Sequence, residues 1–132
     1  LTRSKLINIH FYNSLIKENN GQANLLEMLG RKGFILVIKD LKVIKSRRGG
    51  VVYKGNCDVE LAVDMIDLIP AYDTVVLLSG DSDFAAVIKY VQKHGKKVIA
   101  VSTRGHISRE IIQASDKFAL FNWFKDDWIL DR

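Results

Sequence analysis

The sequence predicts an α/β fold, with a mostly parallel sheet and helices on both faces, on two observations. Strand-like and helix-like segments alternate almost without pause along the 132 residues, which is how a parallel sheet with crossover helices is built. The run Thr74-Val75-Val76-Leu77-Leu78 is short, rich in β-branched residues and uncharged, as a strand covered on both faces is.

Each element follows in order. Leu6 to Tyr12 reads as the first strand. A helix from Gln22 to Lys32 places Leu25, Leu26 and Leu29 on one face and stops at Gly33. Phe34 to Ile44 reads as one long strand, and Val51 to Lys54 as a short returning hairpin arm. The spacing predicts a helix over Asp58 to Leu68, with Pro70 just beyond its end. A strand over 74–79, a helix from Ser82 to His94 and a strand from Lys97 to Ser102 come next. A helix near Ile107 to Ala114 and a last strand, Phe118 to Phe121, complete the alternation. Neither an internal repeat nor a low-complexity segment interrupts it.

Length and composition bound the rest. A chain of 132 residues with 48% apolar and 27% charged residues is expected to form one soluble domain. That domain is expected over 1–121, with 122–132 as a C-terminal tail packed on or near it through Trp123, Phe124 and Trp128. No apolar run approaches the ~20 residues that cross a bilayer, and the N-terminus has no signal-peptide pattern. Cys57 stands alone, so neither an internal disulfide nor a cysteine-histidine zinc site is expected. His10, His94 and His106 are scattered and read as surface or packing residues, and Cys57 as a small buried group. A cytoplasmic protein with no membrane partner is the simplest expectation.

The formal net charge of +5 and a pI near 9.4 favour an anionic partner. The densest basic stretch, Lys45-Ser46-Arg47-Arg48-Gly49-Gly50, reads first as a solvated loop and second as a phosphate contact.

The chemistry concentrates at Ser79-Gly80-Asp81-Ser82-Asp83-Phe84-Ala85, where the strand at 74–78 ends and a helix begins. Ligands bind at that carboxyl rim in open α/β sheets. Two carboxylates crowded there repel one another unless a cation or a proton offsets them, and a hard divalent ion is the natural companion. Turn chemistry and helix capping account for one of the two aspartates without requiring both. Asp58 shares a helix face with Leu61, Ala62 and Met65. It reads equally as a cap at the first turn and as a third acid of the site. Glu60, Asp64 and Asp67 fall on another face, expected to be solvated, with Asp64 the least settled.

Two ordered motifs carry a family resemblance. Lys54-Gly55-Asn56-Cys57-Asp58-Val59-Glu60-Leu61-Ala62-Val63-Asp64-Met65 is followed at matching separation by Val76-Leu77-Leu78-Ser79-Gly80-Asp81-Ser82-Asp83-Phe84. Together with Gly95-Lys96-Lys97-Val98 and Ser108-Arg109-Glu110, they resemble the NYN domains of the PIN-like nuclease superfamily, LabA-like branch. The resemblance implies a Rossmann-like PIN fold and a metal-dependent ribonuclease that hydrolyses RNA phosphodiester bonds. Asp58, Asp81 and Asp83 match the family's acids and would serve as both catalytic groups and ligands of Mg²⁺ or Mn²⁺. Lys54, Arg104 and Arg109 read equally as phosphate contacts beside the site and as ordinary surface charge, and Ser108 joins them in the expected substrate-binding set. A catalytically inactive NYN-fold module binding RNA or protein is the alternative, and pairing of the chain with itself stays open. Toprim-like and haloacid dehalogenase-like phosphate enzymes fit less well, because their acids occupy other places in the fold. The family opens with a strand ending in Asp-Gly-x-Asn, for which this sequence has no counterpart. The natural protein is therefore expected to extend further toward its N-terminus.

Overall fold

The computed structural model describes residues 4–15 and 20–124, with the side chains of Asn20, Lys54, Trp123 and Phe124 left aside. Two compact units emerge, Leu1–Leu61 and Ala62–Arg132.

In the first unit, β1 (His10–Leu15) pairs in parallel with β2 (Ile35–Asp40), in register from His10↔Ile35 to Leu15↔Asp40. Helix α1 (Asn20–Arg31) joins them, burying Leu26. Its Gln22 Nε2 donates to the Ser14 carbonyl at 2.9 Å. Gly33 reverses the chain after α1 with φ +91°, a conformation that glycine adopts without strain. The first strand begins later than its apolar residues predict: Leu6, Ile7 and Ile9 precede it and are exposed. Pairing decides this, because β2 cannot start before the Gly33 turn, and Ile35 N–H donates to Ile9 O at 2.8 Å. The long strand expected over Phe34 to Ile44 is broken at Leu41. After it, β3 (Lys42–Lys45) pairs antiparallel with β4 (Val51–Lys54) as a separate hairpin.

Helix α2 (Asp58–Asp67) crosses the division between the units, which falls between Leu61 and Ala62. In the second unit, β5 (Thr74–Leu77), β6 (Lys97–Ser102) and β7 (Lys117–Leu120) form a parallel sheet in the order β5-β6-β7. Helices α3 (Ala85–Lys93) and α4 (Arg109–Ala114) complete it. A 3-10 turn over Ser82–Phe84 leads into α3, so the helix expected from Ser82 begins three residues later. Ile88, Val91, Val98, Ala100 and Ile111 are fully buried, which places this unit's core where α3 and α4 meet β6. Burial of the isoleucine and valine side chains among them is worth about 1.5–3 kcal/mol each.

The predicted class and the parallel pairing are both present. Among the described residues the strands fall into three separate sheets rather than one. No helix there is long and apolar enough to cross a membrane. Residues 125–132, with Trp128, lie outside the described chain, as do the side chains of Trp123 and Phe124, so the expected packing of the tail falls there too.

Candidate metal centre

The turn after β5 is held from three directions. Asp81 N–H donates to Ser79 Oγ at 3.2 Å, and Asp81 Oδ1 accepts from Asp83 N–H at 2.9 Å. Asp81 thus caps the 3-10 turn that follows. Buried Phe84 anchors the far end of the turn, its N–H bonded to Asp81 O. Both aspartates face solvent.

The third hold comes from the loop between β6 and α4. Ser108 N–H donates to Gly80 O at 2.9 Å. A Cβ on Gly80 would lie 1.8 Å from His106 O and 2.6 Å from Ile107 Cα, so only glycine fits between turn and loop. The loop is braced in turn by Ser102 Oγ, which donates to His106 O at 3.3 Å, and by Arg104 N–H, which donates to Asn122 Oδ1 at 2.9 Å. Ser108 Oγ accepts from Ile111 N–H at 3.2 Å and caps α4. This loop holds Arg104 and His106 exposed, with Arg109 exposed just beyond it. Sequence reasoning treated Gly80 as part of a turn and passed over its contact with residues 106–108. The small residue directly after an apolar strand was the available signal.

Asp58 is half-buried at the first turn of α2. Its N–H donates to Asn56 Oδ1 at 3.4 Å, and the carbonyl of buried Cys57 accepts from Leu61 N–H at 2.9 Å. Asp81 and Asp83 set two carboxylates on one turn at the carboxyl end of β5. These carboxylates offer hard oxygen donors, the kind that divalent Mg²⁺ and Mn²⁺ prefer. The cap at Asp81 engages one of its two oxygens, which leaves the second to bind a cation.

The other acids of α2 divide. Glu60, expected to be solvated, accepts a bond from Lys39 Nζ at 2.8 Å. That bond holds the Glu60 carboxyl below its ordinary value and raises the Lys39 ammonium above its own. Asp67 is exposed and Asp64 half-buried. Lys54 ends β4, and its side chain lies outside the described set. Among the histidines, His94 Nδ1 lies 3.0 Å from the Tyr90 carbonyl, and His10 stacks on Tyr12 with ring centroids 6.3 Å apart.

Asp116, which sequence reasoning did not single out, has a structural task. Its Oδ2 accepts from Val98 N–H at 2.8 Å and from Gln92 Nε2 at 3.0 Å. The first of these bonds, then the second, keeps its carboxyl below the usual range.

Comparison with known proteins gives concordant results. The NYN domain model matches residues 2–122. The chain is 32% identical over 120 residues to the low amplitude and bright protein LabA of Synechococcus elongatus, covering 89% of this chain and 64% of that protein. An uncharacterized protein of Methanocaldococcus jannaschii is 34% identical over 64 residues, which is 47% of this chain and 27% of its own length. The crystal structure of a Vibrio parahaemolyticus protein of unknown function superposes with a TM-score of 0.66 at 29% identity, covering 80% of this chain and 64% of the other. The chain spans less than two thirds of the length of each of these relatives. Motif order, α/β architecture and these matches agree: the chain belongs to the NYN domain family, in the PIN-like nuclease superfamily.

Proposed function

We propose that this domain is a divalent-metal-dependent ribonuclease hydrolysing RNA phosphodiester bonds, with Asp58, Asp81 and Asp83 as its metal-binding and catalytic carboxylates. The observation that carries the reading is the pair of carboxylates, Asp81 and Asp83, on one turn at the carboxyl end of β5 in a chain of this family, with Asp58 added by its motif. Like charges so close need a counter-charge. When bound, Mg²⁺ or Mn²⁺ supplies Lewis acidity toward the scissile phosphate and lowers the pKa of a water.

The chain's own residues supply positioning. Asp81, fixed by its bonds to Ser79 Oγ and Asp83 N–H, presents its remaining oxygen in a set direction. Asp83 follows it on the same rigid turn, and Asp58 is oriented by the first turn of α2. Arg104 and Arg109, exposed on and beside the loop that abuts Gly80, neutralise substrate phosphates, with Lys54 and the Ser108 hydroxyl as further contacts.

The test is cleavage of a labelled single-stranded RNA with Mn²⁺, comparing the natural full-length protein with its Asp81→Asn variant. We expect the variant to lose at least about a hundredfold in rate, the scale on which loss of one electrostatic stabiliser is felt. Equal rates would remove Asp81 from the site. No cleavage by either protein, with RNA still bound, would favour the non-catalytic binding module.

A further inference from the structure

We propose that the β3–β4 hairpin is a polynucleotide-binding arm, holding a single strand by its phosphates and one or more of its bases. Residues 42–54 contain Lys42, Lys45, Arg47, Arg48 and Lys54 and not one aspartate or glutamate. The fifteen other Lys and Arg residues balance the chain's fifteen Asp and Glu residues, so the whole formal charge of +5 resides in this one hairpin. Lys42, Lys45, Arg47 and Arg48 are all exposed, and none forms an ion pair among the described residues.

The tip that carries the arginines has a defined shape. Ser46 N–H donates to Gly50 O at 2.7 Å, Gly49 N–H to Ser46 O at 3.1 Å and Arg48 N–H to Ser46 Oγ at 3.2 Å. Its two guanidinium groups therefore sit on a preset turn rather than on a loose loop. Apolar surface lies between the charges. Val43, Ile44, Val51, Val52 and Tyr53 are each 46–59% exposed, although a two-stranded ribbon has little stability in water on its own. Val43 pairs directly with Tyr53 across the strands, and Val51 and Lys45 pair on the same face, which sets an aromatic ring beside two valines and a lysine. Cations alternating with an exposed aromatic are what single-stranded nucleic acid binds, the cations tracking phosphates and the ring stacking on bases.

Two blander accounts fall short. Lysines guard exposed strand edges against pairing, which covers Lys42 and Lys45 but neither the arginines at the tip nor the absence of acids. A second copy of the chain would set this positive charge against its own like, which is unfavourable.

The proposal rests on the nucleic-acid reading above and is tested apart from catalysis. Binding of fluorescent oligouridylate to the full-length protein is measured by anisotropy in EDTA over a salt series, which keeps metal-dependent hydrolysis silent. We expect Arg47→Ala/Arg48→Ala to weaken binding at least about tenfold. It should also flatten the slope of log affinity against log salt by about 1.4, two phosphate contacts at ~0.7 each. Arg47→Lys/Arg48→Lys should keep the slope. Tyr53→Ala should weaken oligouridylate by about tenfold yet leave heparin, a polyanion without bases, unchanged. Melting temperatures should match throughout, because every altered side chain is exposed. Unchanged affinity and slope in the double alanine variant would overturn the arm, as would polyglutamate competing as well as RNA. Cleavage with Mn²⁺ is scored separately: Asp81-dependent cleavage with tip-independent binding removes the arm alone, and tip-dependent binding without cleavage removes the nuclease reading alone.

Discussion

Asp81 combines two tasks that chemistry can separate. Its side chain caps the 3-10 turn through Asp83 N–H, and asparagine caps about as well as aspartate. Asp81→Asn should therefore keep thermal stability within about 0.5 kcal/mol, while Asp81→Ala should cost about 1 kcal/mol for the lost cap. Chemical denaturation of both variants checks this, and equal losses would show that charge rather than capping holds the turn. Gly80 is the stricter position. A methyl group there must displace the His106 and Ile107 backbone, and overpacking of this kind costs about 1–3 kcal/mol. Gly80→Ala should lower the midpoint accordingly and shift the amide resonances of Asp81, Asp83 and Ser108. Silent resonances would mean that the loop yields freely. The three aspartates stand out in the sequence as candidates because each belongs to a short local motif. The contact of Gly80 with residues 106–108 does not, because it joins positions far apart in the sequence that carry no complementary charge or periodicity.

At the scale of elements, helices and buried strands were easier to read than edges. Lys97–Ser102 is found as expected, since β6 is central in its sheet and uninterruptedly apolar from Val98 to Val101. Strand β1 was misplaced because Asn13 and Ser14 look like terminators, yet they pair with Ile38 and Lys39. The break between β2 and β3 carries no glycine or proline, and it arises where Leu41 N–H closes on Leu15 O before the chain leaves to form the hairpin. Asp116 binds elements together in a way that composition does not announce, linking the start of β6 and the end of α3 to the approach to β7. Its carboxyl is depressed in the folded protein. The stabilisation is accordingly complete above the ordinary value of 3.8 and is lost as pH falls through the folded value. Asp116→Asn should cost about 0.5–1 kcal/mol at neutral pH, kept small by solvent exposure, and the two proteins should converge in acid. A constant difference down to strongly acidic pH would contradict this assignment.

At the scale of the whole molecule, residues Leu1–Leu61 and Ala62–Arg132 form two compact units. Chain length bounds how much core can form but does not say how contacts partition. If Asp58, Asp81 and Asp83 bind a cation, they stabilise the folded state by mass action. Mn²⁺ at a hundred times its dissociation constant adds about 2.7 kcal/mol. The melting temperature of the parent protein should rise with Mn²⁺ and fall back with EDTA, while Asp81→Asn stays flat. A rise of equal size in the variant would locate the ion elsewhere. Cys57 adds a practical consequence. It is the sole cysteine, buried at 7% exposure, and its carbonyl closes the first turn of α2 beside Asp58. A thiol reagent reaches it only when that turn opens, so the labelling rate is a clock for local unfolding at the edge of the acidic group, readable on the unmodified chain without any added probe.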